Sequence, residues 1–100
     1  MNMQQMLQQV QKMQRMYEKE HKILEETEFN YIANGVISLT LKGDMSLVSI
    51  KILDEDILEK DNLEMIQDMI KLAYDNVRNQ ILQKEEELAS KFKVPGGFGF

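Results

Sequence analysis

The chain has 100 residues, of which 43% are apolar and 29% are charged, and this length and composition suit one folded domain and argue against wholesale disorder. It contains no cysteine, which excludes disulfides, thiolate zinc sites and a cysteine nucleophile. Acidic residues outnumber basic ones 17 to 12, and the resulting net charge of −5, taken alone, argues against a nucleic-acid partner.

Residues 3 to 26 have the apolar spacing of a long helix. Apolar side chains recur in steps of three and four, interrupted at Glu20, and this period is typical of a helix that packs along a seam. The seam residues are Met3, Met6, Val10, Met13, Tyr17 and Leu24. Because no glycine or proline occurs before Gly35, the sequence predicts one unbroken helix about 36 Å long.

No segment has the features of export or membrane insertion. The first ten residues are polar and rich in glutamine, unlike a signal peptide, and no run of apolar residues is long enough to span a bilayer. We therefore expect a soluble protein of the cytoplasm without a membrane partner.

The region from Phe29 to Ile52 changes to the two-residue alternation of β-strands. Asn34-Gly35 predicts a type I′ hairpin turn, which needs positive φ at both central residues, and Gly43-Asp44 predicts a second turn. The predicted strands contain Phe29 and Tyr31, then Ile37, Leu39 and Leu41, then Val48, Ile50 and Ile52. They form a meander whose apolar face must be covered by another element.

A second helix is predicted from about residue 62 to about residue 91. Asp61 is its expected N-cap, with Glu64 as the capping-box partner. Its main apolar stripe consists of Ile66, Ile70, Ala73, Val77, Ile81 and Leu88. Pro95 and the glycines after it exclude a helix, so we expect one domain over residues 1–93 and a flexible Gly/Phe-rich tail over residues 94–100.

The predicted fold class is therefore α+β, in the order helix, three-stranded antiparallel meander, helix. Both helices are long for a compact 100-residue domain, whose radius of gyration is about 13 Å. A second apolar row on the second helix, formed by Met65, Met69 and Leu72, could widen the core face or meet a partner. We expect a homodimer, intertwined or sheet-paired, with projecting helical arms and this row at its interface.

Candidate chemistry is sparse. His21 shares a helix face with Glu18 and Glu25, but a dimetal site needs such a motif from two helices, and an exposed histidine among charges is the simpler interpretation. The serines have no neighbouring histidine, and Gly96-Gly97 does not open a helix as a phosphate-binding loop would. We expect no enzyme, metal, cofactor or small-molecule substrate.

The negative charge is concentrated in one part of the chain. Residues 54–61 hold five acidic side chains against one lysine. On the first helix, four bases fall within an arc of about 80° that lies opposite the seam. These bases are Lys12, Arg15, Lys19 and Lys22. They could contact phosphates, with Lys91 and Lys93 extending the surface, or they could simply form the solvated face of an amphipathic helix.

Three segments carry a resemblance to a known family. One segment precedes the meander and two follow it. The first is Met6-Leu7-Gln8-Gln9-Val10-Gln11-Lys12-Met13-Gln14-Arg15-Met16, the second is the acidic connector of residues 54–61 with Ile57-Leu58, and the third is Val94-Pro95-Gly96-Gly97-Phe98. Together they resemble the opening helix, the Asp-Pro-x-Leu-Leu connector and the Leu-Pro-Pro-Gly-Phe ending of the YbaB/EbfC family of bacterial nucleoid-associated proteins. Glu55 stands where that family has the connector proline, and apolar Leu47-Val48 stand where some members carry basic residues.

The resemblance implies a homodimer with a tweezer-like outline that binds DNA in the nucleoid without enzymatic activity. The first hypothesis is therefore a DNA-binding protein with largely sequence-indifferent, weak and salt-sensitive backbone contacts, acting in nucleoid organisation or gene regulation. The alternative is a non-catalytic protein-interaction module or small chaperone. It rests on the eight methionines, because methionine suits adaptable apolar surfaces and five of them lie in the first sixteen residues.

Overall fold

A computed structural model describes residues 2–92 and confirms the predicted order of helix, meander and helix. The elements are α1 (Met3–Glu26), β1 (Glu28–Ala33), β2 (Ile37–Lys42), β3 (Leu47–Ile52), two short 3₁₀ turns (Glu55–Ile57 and Lys60–Asn62) and α2 (Leu63–Lys91). The predicted tail and Lys93 lie outside the described residues.

The three strands form one antiparallel sheet with β2 in the centre. Phe29 pairs with Leu41, Tyr31 with Leu39 and Ala33 with Ile37, so the apolar residues of β1 and β2 share one face. The first turn has the predicted conformation, with φ of 50° at Asn34 and 74° at Gly35. The amide of Val36 donates to the carbonyl oxygen of Ala33 at 3.0 Å and closes this turn.

The second turn extends from Lys42 to Ser46, and Met45 adopts its left-handed conformation at φ of 72°. The Asp44 carboxylate accepts hydrogen bonds from the hydroxyl and the amide of Ser46. These bonds favour the ionised carboxylate and lower the pKa of Asp44.

The core lies between the sheet and α2, which packs across β1 and β2. Ile37, Leu39 and Leu41 of the central strand are almost completely buried. On α2 the buried residues are Ile66, Met69, Ala73, Val77 and Ile81. Each large aliphatic side chain buried in this way stabilises the fold by roughly 1.5–3 kcal/mol. The strand β3 contributes no buried residue, because α2 does not extend over it.

The helix α1 is attached mainly by its C-terminal end and has no buried residue of its own. The Gly43 amide donates to the Thr27 carbonyl oxygen at 2.9 Å, and Thr27 in turn donates its hydroxyl to the carbonyl oxygen of Ile23. A Cβ atom on Gly43 would lie 1.9 Å from the Leu24 carbonyl oxygen. Only glycine therefore allows the turn after β2 to approach the end of α1 this closely.

The predicted N-cap of α2 is wrong. Asp61 lies inside the second 3₁₀ turn, and Asn62 is the residue that precedes the helix. Asn62 makes no side-chain cap and instead donates its amide to the carbonyl oxygen of Ile57 at 3.0 Å. The connector is thus folded into two short turns, a local conformation that displaces Asp61 from the capping position.

The described part of the chain is elongated, measuring 69 × 20 × 16 Å with a radius of gyration of 19.7 Å. That radius is well above the value of about 13 Å for a compact domain of this length. The excess arises because both helices extend past the small sheet, as the sequence predicts. Within residues 2–92, neither helix combines the length and hydropathy needed to cross a membrane.

Replacing Gly43 with alanine is expected to destabilise the fold by about 1–3 kcal/mol, because the new methyl group would overlap the backbone of α1. Chemical denaturation of purified protein measures this change. Gly35→Asn is the control, since Gly35 faces open space and asparagine tolerates positive φ, and it should change stability by less than about 1 kcal/mol. A Gly43→Ala protein as stable as the unmodified chain would contradict the close approach.

Candidate nucleic-acid interface

Four basic side chains form an exposed row along α1, which we call the basic stripe: Lys12, Arg15, Lys19 and Lys22. None of the four forms an ion pair with another side chain in residues 2–92. Helical geometry places the half-buried residues Val10, Met13, Tyr17 and Leu24 on the opposite face. The stripe therefore points away from the side on which α1 packs.

The basic stripe has dimensions suited to a phosphate backbone. Ten residues separate Lys12 from Lys22, which corresponds to about 15 Å of helix. A DNA strand presents a phosphate about every 3.4 Å along the helix axis, so the stripe lies alongside several phosphates if it follows one strand. Because all four bases lie on one helix, they are already in a row before binding, and no loop has to become ordered when phosphates are contacted.

The acidic residues of α1 are partly engaged elsewhere. Glu20 accepts from Lys91 through both carboxylate oxygens, at 3.1 and 3.2 Å, and Glu25 contacts Nδ1 of His21 at 2.8 Å. Glu26 has the same helical phase as the basic stripe but lies beyond Lys22 at the sheet end. The positive character of α1 is therefore strongest in its middle turns, from Lys12 to Lys22.

The structure does not bring Lys91 into the basic stripe. Its ammonium group is held by Glu20, and it also lies 5.3 Å from the centre of the Phe92 ring. These contacts fasten the end of α2 to the side of α1. Lys93, the other predicted contact from this region, lies outside the described residues.

His21 belongs to a small aromatic contact between the helices. Its ring stacks on Tyr17 with the centroids 5.6 Å apart, and Tyr17 meets Phe92 edge to face at 6.1 Å. In the described ranges, no three histidine or carboxylate side chains are grouped so that they could hold a metal ion. The spacing of four residues between Tyr17 and His21 on a helix is a sequence signal for this stacking. The contact of Tyr17 with Phe92 has no such signal, because the two residues are far apart in the chain.

The apolar row predicted for a dimer interface is divided in the folded protomer. Met69 belongs to the core and is 4% exposed, whereas Met65 and Leu72 are about half exposed. The two exposed residues line a shallow depression near Asn34, at the first turn of the sheet. Helical periodicity placed all three on one side of α2 but could not tell which of them the sheet covers.

A second apolar surface, which we call the β3 face, is left exposed, although the sequence predicted that another element covers the apolar face of the meander. It consists of Leu47, Ile50 and Ile52, which are 58%, 44% and 39% exposed. Ile50 pairs with Leu39 and Ile52 with Ile37, so these side chains share the face of the buried residues of β2. The strand alternation was visible in the sequence, but the position of α2 across the sheet was not.

The chain matches the profile of the YbaB/EbfC DNA-binding family over residues 1–97. It is 38% identical to a nucleoid-associated protein of Alkaliphilus metalliredigens, in a match covering 96% of this chain and 82% of that protein. A nucleoid-associated protein of Agathobacter rectalis is 35% identical, with coverage of 98% and 85% respectively.

The fold is also found in a solved structure. An uncharacterized protein from Helicobacter pylori superimposes with a TM-score of 0.72 at 20% identity, covering 91% of this chain and 96% of that one. The likeness in fold agrees with the match along nearly the whole sequence. The chain belongs to the YbaB/EbfC DNA-binding family.

Proposed function

We propose that this protein is a homodimeric, nucleoid-associated DNA-binding protein that contacts the phosphate backbone through the basic stripe, with little preference for base sequence. The observation that carries the proposal is the row of four exposed bases without ion-pair partners in residues 2–92, on the face of α1 opposite its packing side. Family membership supports DNA as the partner.

The acidic connector does not prevent such binding. Residues 54–61 precede the start of α2, whereas the end of α1 packs near Lys84 and Leu88. The helical rise between Leu63 and Lys84 is about 32 Å, or roughly three Debye lengths at 0.1 M salt. Repulsion from the connector is therefore largely screened at the basic stripe, although the net charge of −5 still favours weak, salt-sensitive binding.

The proposed dimer forms through the edge of β3. This strand lies at one edge of the sheet, and its apolar β3 face is exposed. An uncovered edge strand of this kind readily pairs with a second chain. The opposite edge of the sheet is partly occupied, because Gln80 of α2 donates to the Asn30 carbonyl oxygen of β1 at 3.2 Å. Pairing through β3 would join the two sheets and leave both α1 helices as projecting arms. Met65 and Leu72 provide the alternative interface.

The alternative function, a protein-interaction module or small chaperone, draws support from exposed apolar residues at the start of α1. Met3, Met6 and Leu7 are each more than half exposed. Binding of an unfolded client at high salt, together with no DNA gel shift at low salt, would favour this alternative over DNA binding.

The double substitution Arg15→Gln and Lys19→Gln is expected to lower the slope of log affinity against log salt by about 1.8, because each phosphate contact on duplex DNA contributes about 0.9. Fluorescence-anisotropy titrations of one duplex at several salt concentrations measure this slope. Lys71→Gln with Arg78→Gln is the matched control, because it removes the same charge from exposed positions of α2. The control should leave the slope unchanged, and equal slopes for both variants and the parent would refute the role of the stripe.

Ile50→Lys is expected to weaken dimerisation at least about tenfold, because each chain would then place an ammonium group beside the junction of the two sheets, where apolar contacts are lost and the like charges repel each other. Sedimentation equilibrium over a range of protein concentrations measures the dissociation constant. Leu72→Lys serves as the control, since it adds the same charge at a position of similar exposure. If Leu72→Lys dissociates the dimer and Ile50→Lys does not, the interface is the row on α2 instead.

A further inference from the structure

The face of α1 that carries the basic stripe continues toward the start of the helix with two glutamines. Gln4 and Gln8 precede Lys12 in steps of four residues, and both are exposed. The basic stripe itself advances in steps of three and four, so the two glutamines have nearly its helical phase. We call Gln4 and Gln8 the amide row. It adds about 12 Å to the stripe, which is the spacing of three to four phosphates along a DNA strand.

The first turn of α1 is held in helical geometry by its cap. The side-chain oxygen of Asn2 accepts from the backbone amide of Gln5 at 2.8 Å, and the Asn2 carbonyl oxygen accepts from the amide of Met6 at 3.1 Å. Asparagine is among the most favourable residues at this position. Gln4 and Gln8 therefore belong to a formed helix, which keeps them in line with the basic stripe.

The hydrogen-bonding groups of the amide row are not used inside the protomer. Within residues 2–92, neither Gln4 nor Gln8 makes a side-chain hydrogen bond, although each side chain offers an NH₂ donor group and an acceptor oxygen. Residues 2–11 contain no charged side chain, so no carboxylate in these turns repels a phosphate. Glutamine donates to phosphate and sugar oxygens in DNA complexes, and it releases no counterion because it is uncharged.

The opposite end of the same face carries an acid. Glu26 follows Lys22 by four residues and lies about five turns from Gln8 at the same helical phase. It is exposed and forms no ion pair in the described part of the chain. A carboxylate repels a phosphate, whereas a glutamine amide can donate to it. DNA that follows the basic stripe is therefore favoured to continue over the amide row and not toward the sheet.

We propose, on the basis of the proposed DNA binding, that the amide row extends the DNA contact toward the start of α1. Gln4 and Gln8 donate hydrogen bonds to phosphate and sugar oxygens of the strand that the basic stripe holds. These neutral contacts strengthen binding without adding to its salt dependence. One helix face thus contains a salt-sensitive part and a nearly salt-independent part, and contacts with backbone oxygens add no base preference.

Removal of the amides separates the two contributions. In the full chain, Gln4→Ala with Gln8→Ala should weaken binding to one duplex at least about fivefold, because two hydrogen bonds are lost. The slope of log affinity against log salt should stay unchanged, because no charge is lost. The matched control is Gln9→Ala with Gln14→Ala, which removes two exposed amides about 100° and 120° around the helix from Gln8. Alanine favours helix in all four positions, so α1 stays folded.

Anisotropy titrations of the parent and both double variants distinguish the outcomes. Equal affinities of the two double variants would overturn the role of the amide row, while binding by the parent would still support the proposed function. Absence of binding by the parent would refute the proposed function and this inference with it. A loss that differs more than about tenfold between an A·T-rich and a G·C-rich duplex would overturn the assignment to backbone oxygens, because base edges would then be read.

A gain of charge tests the same geometry in the opposite direction. Gln8→Lys should raise the salt slope by about 0.9, because the new ammonium group adds one phosphate contact. Gln9→Lys is the control, since it adds the same charge one residue further along but about 100° around the helix, and it should leave the slope nearly unchanged. Both positions lie within about one turn of Lys12, so repulsion from that lysine is similar. Equal slopes for the two variants would contradict the path of DNA along the amide row.

Discussion

The packing of α2 across only two of the three strands is the constraint on which the rest of the molecule depends. Ile37, Leu39 and Leu41 on the central strand and the buried stripe of α2 supply nearly all of the core, so a single helix and a single sheet face hold the protomer together. One helix is about 10 Å wide, and it cannot cover three strands completely. Ile50 and Ile52 are therefore left exposed beside buried neighbours, and this incomplete cover supports our proposal that a second chain pairs with β3.

The attachment of α1 follows a different principle. Instead of burying a face in the core, this helix is held at its sheet end by close backbone contact with Gly43 and at its middle by Lys91 and Phe92. The turns before Tyr17 extend outward from these contacts, and this extension produces the length of 69 Å. The basic stripe of α1 is exposed on the side away from the contacts with α2, and this arrangement supports our proposal of sequence-indifferent binding to a phosphate backbone.

The distribution of charge explains how a family of DNA-binding proteins can include an acidic chain. Five acidic side chains lie in residues 54–61, before the start of α2, whereas the four bases of the basic stripe lie on α1. Since screening limits electrostatic interactions to about 10 Å at 0.1 M salt, local charge determines which surface attracts DNA, and the total charge mainly limits affinity. Lys91 is a further example of a charge governed by its near neighbours. Its ammonium group was predicted to contact phosphate but is paired with Glu20, where it links α2 to α1.

The sequence by itself determined the elements and much of the candidate site. Periodicity and the positive-φ turn at Asn34-Gly35 are local properties, so they predicted both helices and the first hairpin closely, and helical phase alone placed the basic stripe opposite the seam. Tertiary structure decided which apolar residues are covered: Met69 is buried while Met65 is exposed, and Ile50 is exposed while its partner Leu39 is buried. It also placed Lys91 beside Glu20, 71 positions away in the chain, and Asp61 within a 3₁₀ turn. These outcomes depend on where α2 and the connector lie relative to the sheet, and no local pattern encodes that position.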